Sequence, residues 1–238
     1  MKIRVMGFSS PGKRNEQQDS YKYHIQDDEV TAVVSDGMGG LNGGELASRY
    51  AVNRFIQDYN TRIIEQKIND FLKTEVVLLD DAVFQMKNSA GKQLGAGTTI
   101  VAAIILENHL HWLSVGDSKL YVYRNQRLRC MTREHNYRMV LDEMLENQCI
   151  SEQAYREEMK HADGLISFLG MGNVKVFDVN ERPFEIKSGD RYLLCSDGVY
   201  KTIPEDMLEE LLQKYSDTPE ELIRLMQHLI DDNDIFVY

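Results

Sequence analysis

The 238-residue chain predicts an α+β fold in which β-sheets are sandwiched between pairs of helices. Two observations carry that expectation. Between Thr98 and Cys130, apolar stretches of strand length alternate with tight polar turns. Before and after the strand-rich half lie pairs of segments that read as helices, the first pair with apolar residues recurring near a 3.6 period. No repeat, low-complexity tract or Pro/Gly/Ser linker divides the chain. One domain over residues 1–238 is therefore expected, since β-rich folds reach about 250 residues as one unit.

The elements are predicted in order. Met1–Met6 reads as a short amphipathic strand, with neither the long apolar core nor the small-residue cleavage site of a signal peptide. Val30–Val34 is a short β-branched run, the mark of a buried strand. After Asn42-Gly43-Gly44, a helix places Leu46, Ala47, Tyr50, Ala51 and Phe55 on one face. A second helix carries Ile64, Ile68, Phe71, Leu72, Leu79, Ala82 and Met86. Strands over Ile100–Leu106, His109–Val115, Lys119–Arg124 and Arg127–Cys130 read as an antiparallel meander. Residues 136–165 are polar and mixed, with a weak helix after Ser151, and read as a surface flap. Strands resume at Val174–Val179 and Arg191–Cys195. Two helices follow, the second opening on Thr218-Pro219-Glu220-Glu221, a capping box with proline at the first helical position. Ile235–Tyr238 reads as a last strand.

Composition narrows the function classes. With 27 basic against 38 acidic residues, the net charge of -11 argues against a nucleic-acid or anionic-membrane surface, which wants a basic face. No stretch approaches the ~18 apolar residues of a membrane span. Cys130, Cys149 and Cys195 are odd in number and form no C-x-x-C, which speaks against a disulfide framework or a zinc site. A reduced, cytoplasmic setting is expected.

Several apolar runs stop at an acidic residue. Val33-Val34-Ser35 ends at Asp36-Gly37, Trp112–Gly116 at Asp117, and Leu193–Ser196 at Asp197-Gly198. Asp231-Asp232-Asn233-Asp234 precedes the last predicted strand. One Asp-Gly is ordinarily only a turn. Several aspartates gathered at buried strand ends would repel one another and lose hydration, so they need compensating cations. Hard oxygen ligands without Cys or His pairs favour Mg²⁺ or Mn²⁺ over Zn²⁺.

The same residues carry a resemblance. Asp36-Gly37-Met38-Gly39-Gly40, with Gly44-Glu45 and Ala47-Ser48 after it, resembles the Asp-Gly-Met-Gly-Gly segment of bacterial type 2C protein phosphatases. Arg14 with Gln17-Gln18-Asp19, Gly97-Thr98-Thr99, Val115-Gly116-Asp117-Ser118, Leu194–Gly198 and Asp232-Asn233 follow the family's pattern in order and spacing. The resemblance implies a four-layer α-β-β-α domain with two antiparallel sheets packed as a sandwich. It implies hydrolysis of phosphoserine and phosphothreonine in proteins by metal-activated water, with two core Mg²⁺ or Mn²⁺ ions and no phosphoenzyme.

By the same resemblance Asp36 would bridge two metals, with the Gly37 carbonyl on one of them, while Asp197 and Asp232 would ligate the other. Asp19 would order metal-bound waters, and Asp117 with Asp197 would hold a third, looser ion. Arg14 would clamp the substrate phosphate with its planar donor fork. The implied partners are phosphoproteins and, by analogy, a Ser/Thr kinase of the same cell; a monomer is expected.

The chain departs from the family at several points. Gln18 stands where many members carry Glu. Met38 replaces the histidine that eukaryotic members use, so water is left as the proton donor to the leaving group. Lys119 replaces an arginine, and Ile235 a Thr or Ser. Residues 136–165 match poorly, which leaves substrate choice open. His135, in Thr132-Arg133-Glu134-His135, reads as structural, the other five histidines as surface residues, and Trp112 as core.

A cysteine-based phosphatase would want Cys-x5-Arg, whereas Lys201 stands six positions after Cys195 and the cysteine sits within an apolar strand. The reading from another class is a catalytically weak, phosphoprotein-binding regulator of the same fold. It is weighed against by the presence of Asp36, Asp197 and Asp232 together.

Overall fold

The computed structural model describes residues 3–12, 16–39, 43–63 and 65–232, with Asp232 described only as the last helical position. The first sheet begins with a hairpin. β1 (Asp19–Gln26) pairs antiparallel with β2 (Glu29–Met38), and Gln26 faces Glu29 across the two-residue turn Asp27-Asp28. β4 (Ile100–Leu106) lies on the other side of β2, and β5 (His109–Val115) lies beside β4. The β4–β5 turn, Glu107-Asn108, has positive φ at both positions, the twist that suits a two-residue hairpin. β3 (Gly97–Thr98) pairs with the end of β2, while β8 (Asp178–Val179) and β9 (Phe184–Glu185) pair with β5.

The second sheet contains β10 (Arg191–Cys195), β6 (Lys119–Arg124) and β7 (Arg127–Cys130) in that order among the described residues. α1 (Gly43–Thr61) and α2 (Ile68–Phe84) cover the outer face of the first sheet. α3 (Tyr137–Glu146) and α4 (Glu152–Glu158) form the flap. α5 (Asp197–Tyr200) is one turn, and α6 (Glu205–Lys214) and α7 (Pro219–Asp232) pack on the second sheet.

β4 shows why four layers form. Ile100, Ala102 and Ile104 point into the core shared with Phe55, Leu72 and Val76 of the helices. Val101, Ala103 and Ile105 point the other way, into the inter-sheet core with Leu110, Leu120 and Ile186. A third core, with Tyr123, Leu208, Leu211, Leu222 and Met226, joins the second sheet to α6 and α7. A strand buried on both faces must be apolar throughout, and Ile-Val-Ala-Ala-Ile-Ile-Leu is. The predicted α-β-β-α sandwich is therefore present.

Several boundaries differ from those expected. β1 was not predicted; its alternating Tyr21, Tyr23 and Ile25 are exposed, so no buried apolar run announced it. Val30–Val34 extends to Glu29–Met38, which puts Asp36 inside a strand rather than at its end. Residues 3–6 join no ladder, and Ile3 and Val5 pack on the inter-sheet core as an irregular segment. α2 begins at Ile68, not Ile64, and the strand predicted over Val174–Val179 shrinks to Asp178–Val179. Leu46 is 40% exposed, and Ala47, Ser48, Ala51, Val52 and Phe55 make the buried face of α1 instead. Ser151 does cap α4, its hydroxyl accepting the Ala154 N–H at 3.1 Å. Trp112 is half-buried against the inter-sheet core. His24 and His111 are half-buried, not fully on the surface. The predicted strand Ile235–Tyr238 lies outside the described residues. Among the described residues, no helix is long and apolar enough to cross a membrane.

Candidate metal centre

The hairpin register sets the site. Asp19 and Asp36 are direct cross-strand partners, so both side chains leave the same face of the sheet. Asp36 is fixed through its backbone. Its N–H donates to Thr99 Oγ1 at 2.9 Å, while its carbonyl accepts from the Thr99 N–H at 2.8 Å and from Thr98 Oγ1 at 2.9 Å. Thr99 Oγ1 in turn lies 2.7 Å from Ser118 Oγ, which links the Asp36 strand to the residue after Asp117. Asp19 is oriented by Ser196 Oγ, which donates to its Oδ2 at 2.7 Å.

Gly37 is required by close approach. A Cβ at that position would strike the Gly44 backbone and lie 2.6 Å from the Gln18 carbonyl oxygen. Its N–H donates to that same Gln18 carbonyl at 3.1 Å, and Ser48 Oγ of α1 donates to it at 2.6 Å. The start of α1 is thereby locked onto the β1–β2 pair beside Asp36.

Asp117 sits in the β5–β6 turn and is 9% exposed. Gly116 before it has φ of +97° and is gripped by His135, whose Nδ1 accepts the Gly116 N–H at 3.1 Å. Tyr200 donates its hydroxyl to the Asp117 carbonyl at 3.1 Å. Asp197 opens α5, and Lys201 Nζ lies 2.8 Å from its Oδ2.

The electrostatics agree with the geometry. Burial, then the charges of Asp19 and Asp197, a hydrogen bond with Asp19 and the charge of Asp117 push the Asp36 carboxyl up to about 9. Asp117 is also raised, by burial first and then by Asp197, with Lys201 opposing. Carboxylates from four separated segments thus bear on one another, the condition that divalent cations relieve. Oxygen donors of this kind fit Mg²⁺ or Mn²⁺. Among the described residues no three Asp, Glu, His or Cys side chains close around one point, so an ion here would draw further ligands from water or backbone oxygen.

Asp19, Asp36, Gly37, Asp117 and Asp197 are brought together. Arg14 lies outside the described residues, and Asp232 is described only as the end of α7. Cys195 is buried at the end of β10, and burial pushes its thiol far up, which suits an inert side chain. A cavity of about 460 Å³ between residues 3–10, β1 and β10 has Asp19 and Ser196 on its wall but not Asp36, Asp117 or Asp197. Sequence reasoning missed Ser196, Tyr200 and Lys201 as neighbours of the aspartates. Their only signal was adjacency to Asp197-Gly198.

Comparison with known proteins gives three findings. The model of a family described as protein phosphatase 2C matches residues 7–233. A serine/threonine phosphatase, stp, of Listeria welshimeri is 29% identical over 195 residues, covering 80% of this chain and 75% of that protein. The fold is shared with the S. agalactiae serine/threonine phosphatase, at a TM-score of 0.74 and 20% identity over 94% of this chain and 92% of that one. It is also shared with the catalytic domain of the serine/threonine protein phosphatase PstP in complex with two manganese ions, at 0.69 and 24% over 95% and 90%.

Proposed function

The chain belongs to the protein phosphatase 2C family and is thereby a metal-dependent serine/threonine protein phosphatase, and on that premise we propose how its own residues divide the work. Asp36, the Gly37 carbonyl, Asp197 and Asp232 would hold the two core Mg²⁺ or Mn²⁺ ions. When bound, the ions lower the pKa of water enough for it to attack phosphorus in line near neutral pH. Asp19, held on one side by Ser196, offers its remaining lone pairs to orient water. Arg14 clamps the phosphoryl oxygens of the substrate, neutralising charge as it builds. Met38 brings no titratable group, so the proton for the departing serine or threonine comes from water.

The observation that carries this reading is the half-buried Asp19–Asp36 cross-strand pair, with the charge of Asp197 and then of Asp117 bearing on Asp36. A third, looser ion, taken up only at high divalent concentration, would go between Asp117 and Asp197. Residues 1–238 act as one catalytic domain, in the cytoplasm, as a monomer, on phosphoproteins made by a Ser/Thr kinase of the same cell.

The test is hydrolysis of a phosphothreonine peptide with Mn²⁺ or Mg²⁺, with EDTA, and in Asp36→Asn and Asp197→Asn variants. Metal-dependent turnover lost in both folded variants is expected. No turnover by folded, metal-saturated wild type across several phosphopeptides would sink the reading and leave a phosphoprotein-binding regulator.

A further inference from the structure

Lys201 follows α5 directly and turns its ammonium back onto the residue that opens it. Nζ lies 2.8 Å from Asp197 Oδ2, close enough to fill a lone pair on that oxygen. Burial works against the charge, but the bond to Asp197 and the fields of Asp117 and of Asp163, at the end of the flap, outweigh it. Among the described residues only Asp197 lies within ion-pair distance of the ammonium, and the charges of Asp117 and Asp163 act on it from farther off. At the other end of the cluster Asp36 faces Asp19, and among the described residues no ion pair reaches either of them.

An exposed i, i+4 pair on a helix surface is ordinarily worth little. This pair differs in its setting. The Asp197 side chain is only 20% exposed, and Asp117, whose carboxyl Lys201 counteracts, is 9% exposed. A divalent ion bound between Asp117 and Asp197 would have to take the Asp197 oxygen from the ammonium, or sit beside a like charge.

We propose that Lys201 is a built-in cation at the Asp117–Asp197 end of the centre, taking Asp197 Oδ2 while leaving Oδ1 to a core ion, so that divalent ions are confined to the two core positions and a third is excluded. The inference rests on the two-ion reading of the site. Because the Lys201 side chain is 53% exposed, its stem is free to swing away. Exclusion is therefore a competition that high divalent concentration reverses.

The test counts Mn²⁺ equivalents by calorimetry, and by the electron paramagnetic resonance signal of free Mn²⁺, in wild type, Lys201→Met and Lys201→Arg. Two equivalents are expected for wild type and for Lys201→Arg. Lys201→Met should take a third, with affinity about tenfold above any third event in wild type. A third equivalent in wild type at the same affinity, or two equivalents in Lys201→Met, would overturn the proposal. So would loss of the first two ions in a folded Lys201→Met, since that would make Lys201 a prop for Asp197. Wild type that takes up no Mn²⁺ would instead defeat the two-ion reading, and this inference with it.

Discussion

His135 and Gly116 hold each other twice: the Gly116 N–H donates to His135 Nδ1 at 3.1 Å, and the His135 N–H donates to the Gly116 carbonyl at 2.9 Å. With Nδ1 an acceptor, the ring carries its proton on Nε2, which points to Asp178 Oδ2 at 3.2 Å. The turn that delivers Asp117 is thereby tied through a fully buried imidazole to β8.

Asp178 should give the protein an acid-side weakness. Burial pulls its carboxyl up, but the hydrogen bonds from His135 and Arg133 and the charge of Arg133 outweigh burial and hold it well below the usual range. A carboxyl depressed on folding adds stability that is complete above its unfolded pKa, about 3.9, and is lost as pH falls below that value. Asp178→Asn should cost about 1–2 kcal/mol at pH 7 and less at pH 3, where the loss has begun. Urea melts at both pH values check this; equal losses would contradict it.

Asp80 should be among the costliest single positions away from the metal centre. Its carboxylate accepts the backbone N–H groups of Gly170, Met171 and Gly172 at 2.8–3.2 Å and of Val174 at 2.9 Å. The loop it holds runs on from Leu169, which bridges to Thr98 behind Asp36. Asp80→Ala leaves those donors without an acceptor and should cost about 3 kcal/mol by denaturant titration. A loss below about 1 kcal/mol would mean the loop finds other partners.

Glu75 points the opposite way in pH. It is buried on α2, its Oε1 has no hydrogen-bond partner, and burial, the charge of Asp58 and a bond with Asp58 raise its carboxyl to about 8, with Arg54 opposing. An acid raised on folding favours the protonated native state, so stability falls as pH rises from about 4.3 to about 8 and then levels. Glu75→Gln should be near neutral at pH 5 and gain about 2–3 kcal/mol at pH 8.5. Thermal melts across that window decide the matter, and a gain independent of pH would exclude the assignment.

Thr99→Val removes the acceptor for the Asp36 N–H and cuts the hydroxyl link to Ser118 without changing side-chain volume much. Residues that orient metal ligands typically matter by about 10–100-fold in metal affinity. Mn²⁺ affinity should fall about tenfold, with the fold retained by circular dichroism. Unchanged affinity would show that Asp36 is held well enough by its carbonyl contacts alone.

The sequence made the strands of the two-sided core legible because burial on both faces demands continuous apolar runs, as in Ile100–Leu106. β1 stayed hidden because Tyr21, Tyr23 and Ile25 face solvent, so alternation carried no burial signal. The aspartates were legible from their positions at the ends of apolar runs. Lys201 was not, since its meaning arises only when a helical turn brings it four residues back onto Asp197. His135 was read as structural and is indeed fully buried, but its grip on Gly116 depends on a register that no local pattern displays.

The Asp27-Asp28 turn acts as a counting device. Every rung of the β1–β2 ladder, from Gln26↔Glu29 out to Asp19↔Asp36, is numbered from that turn. One residue added there would put a different neighbour opposite Asp36 and turn Asp19 to the far face, while most of the core stayed intact. Insertions should therefore be tolerated in the flap and forbidden at this tight corner, eight residues along the chain from either carboxylate.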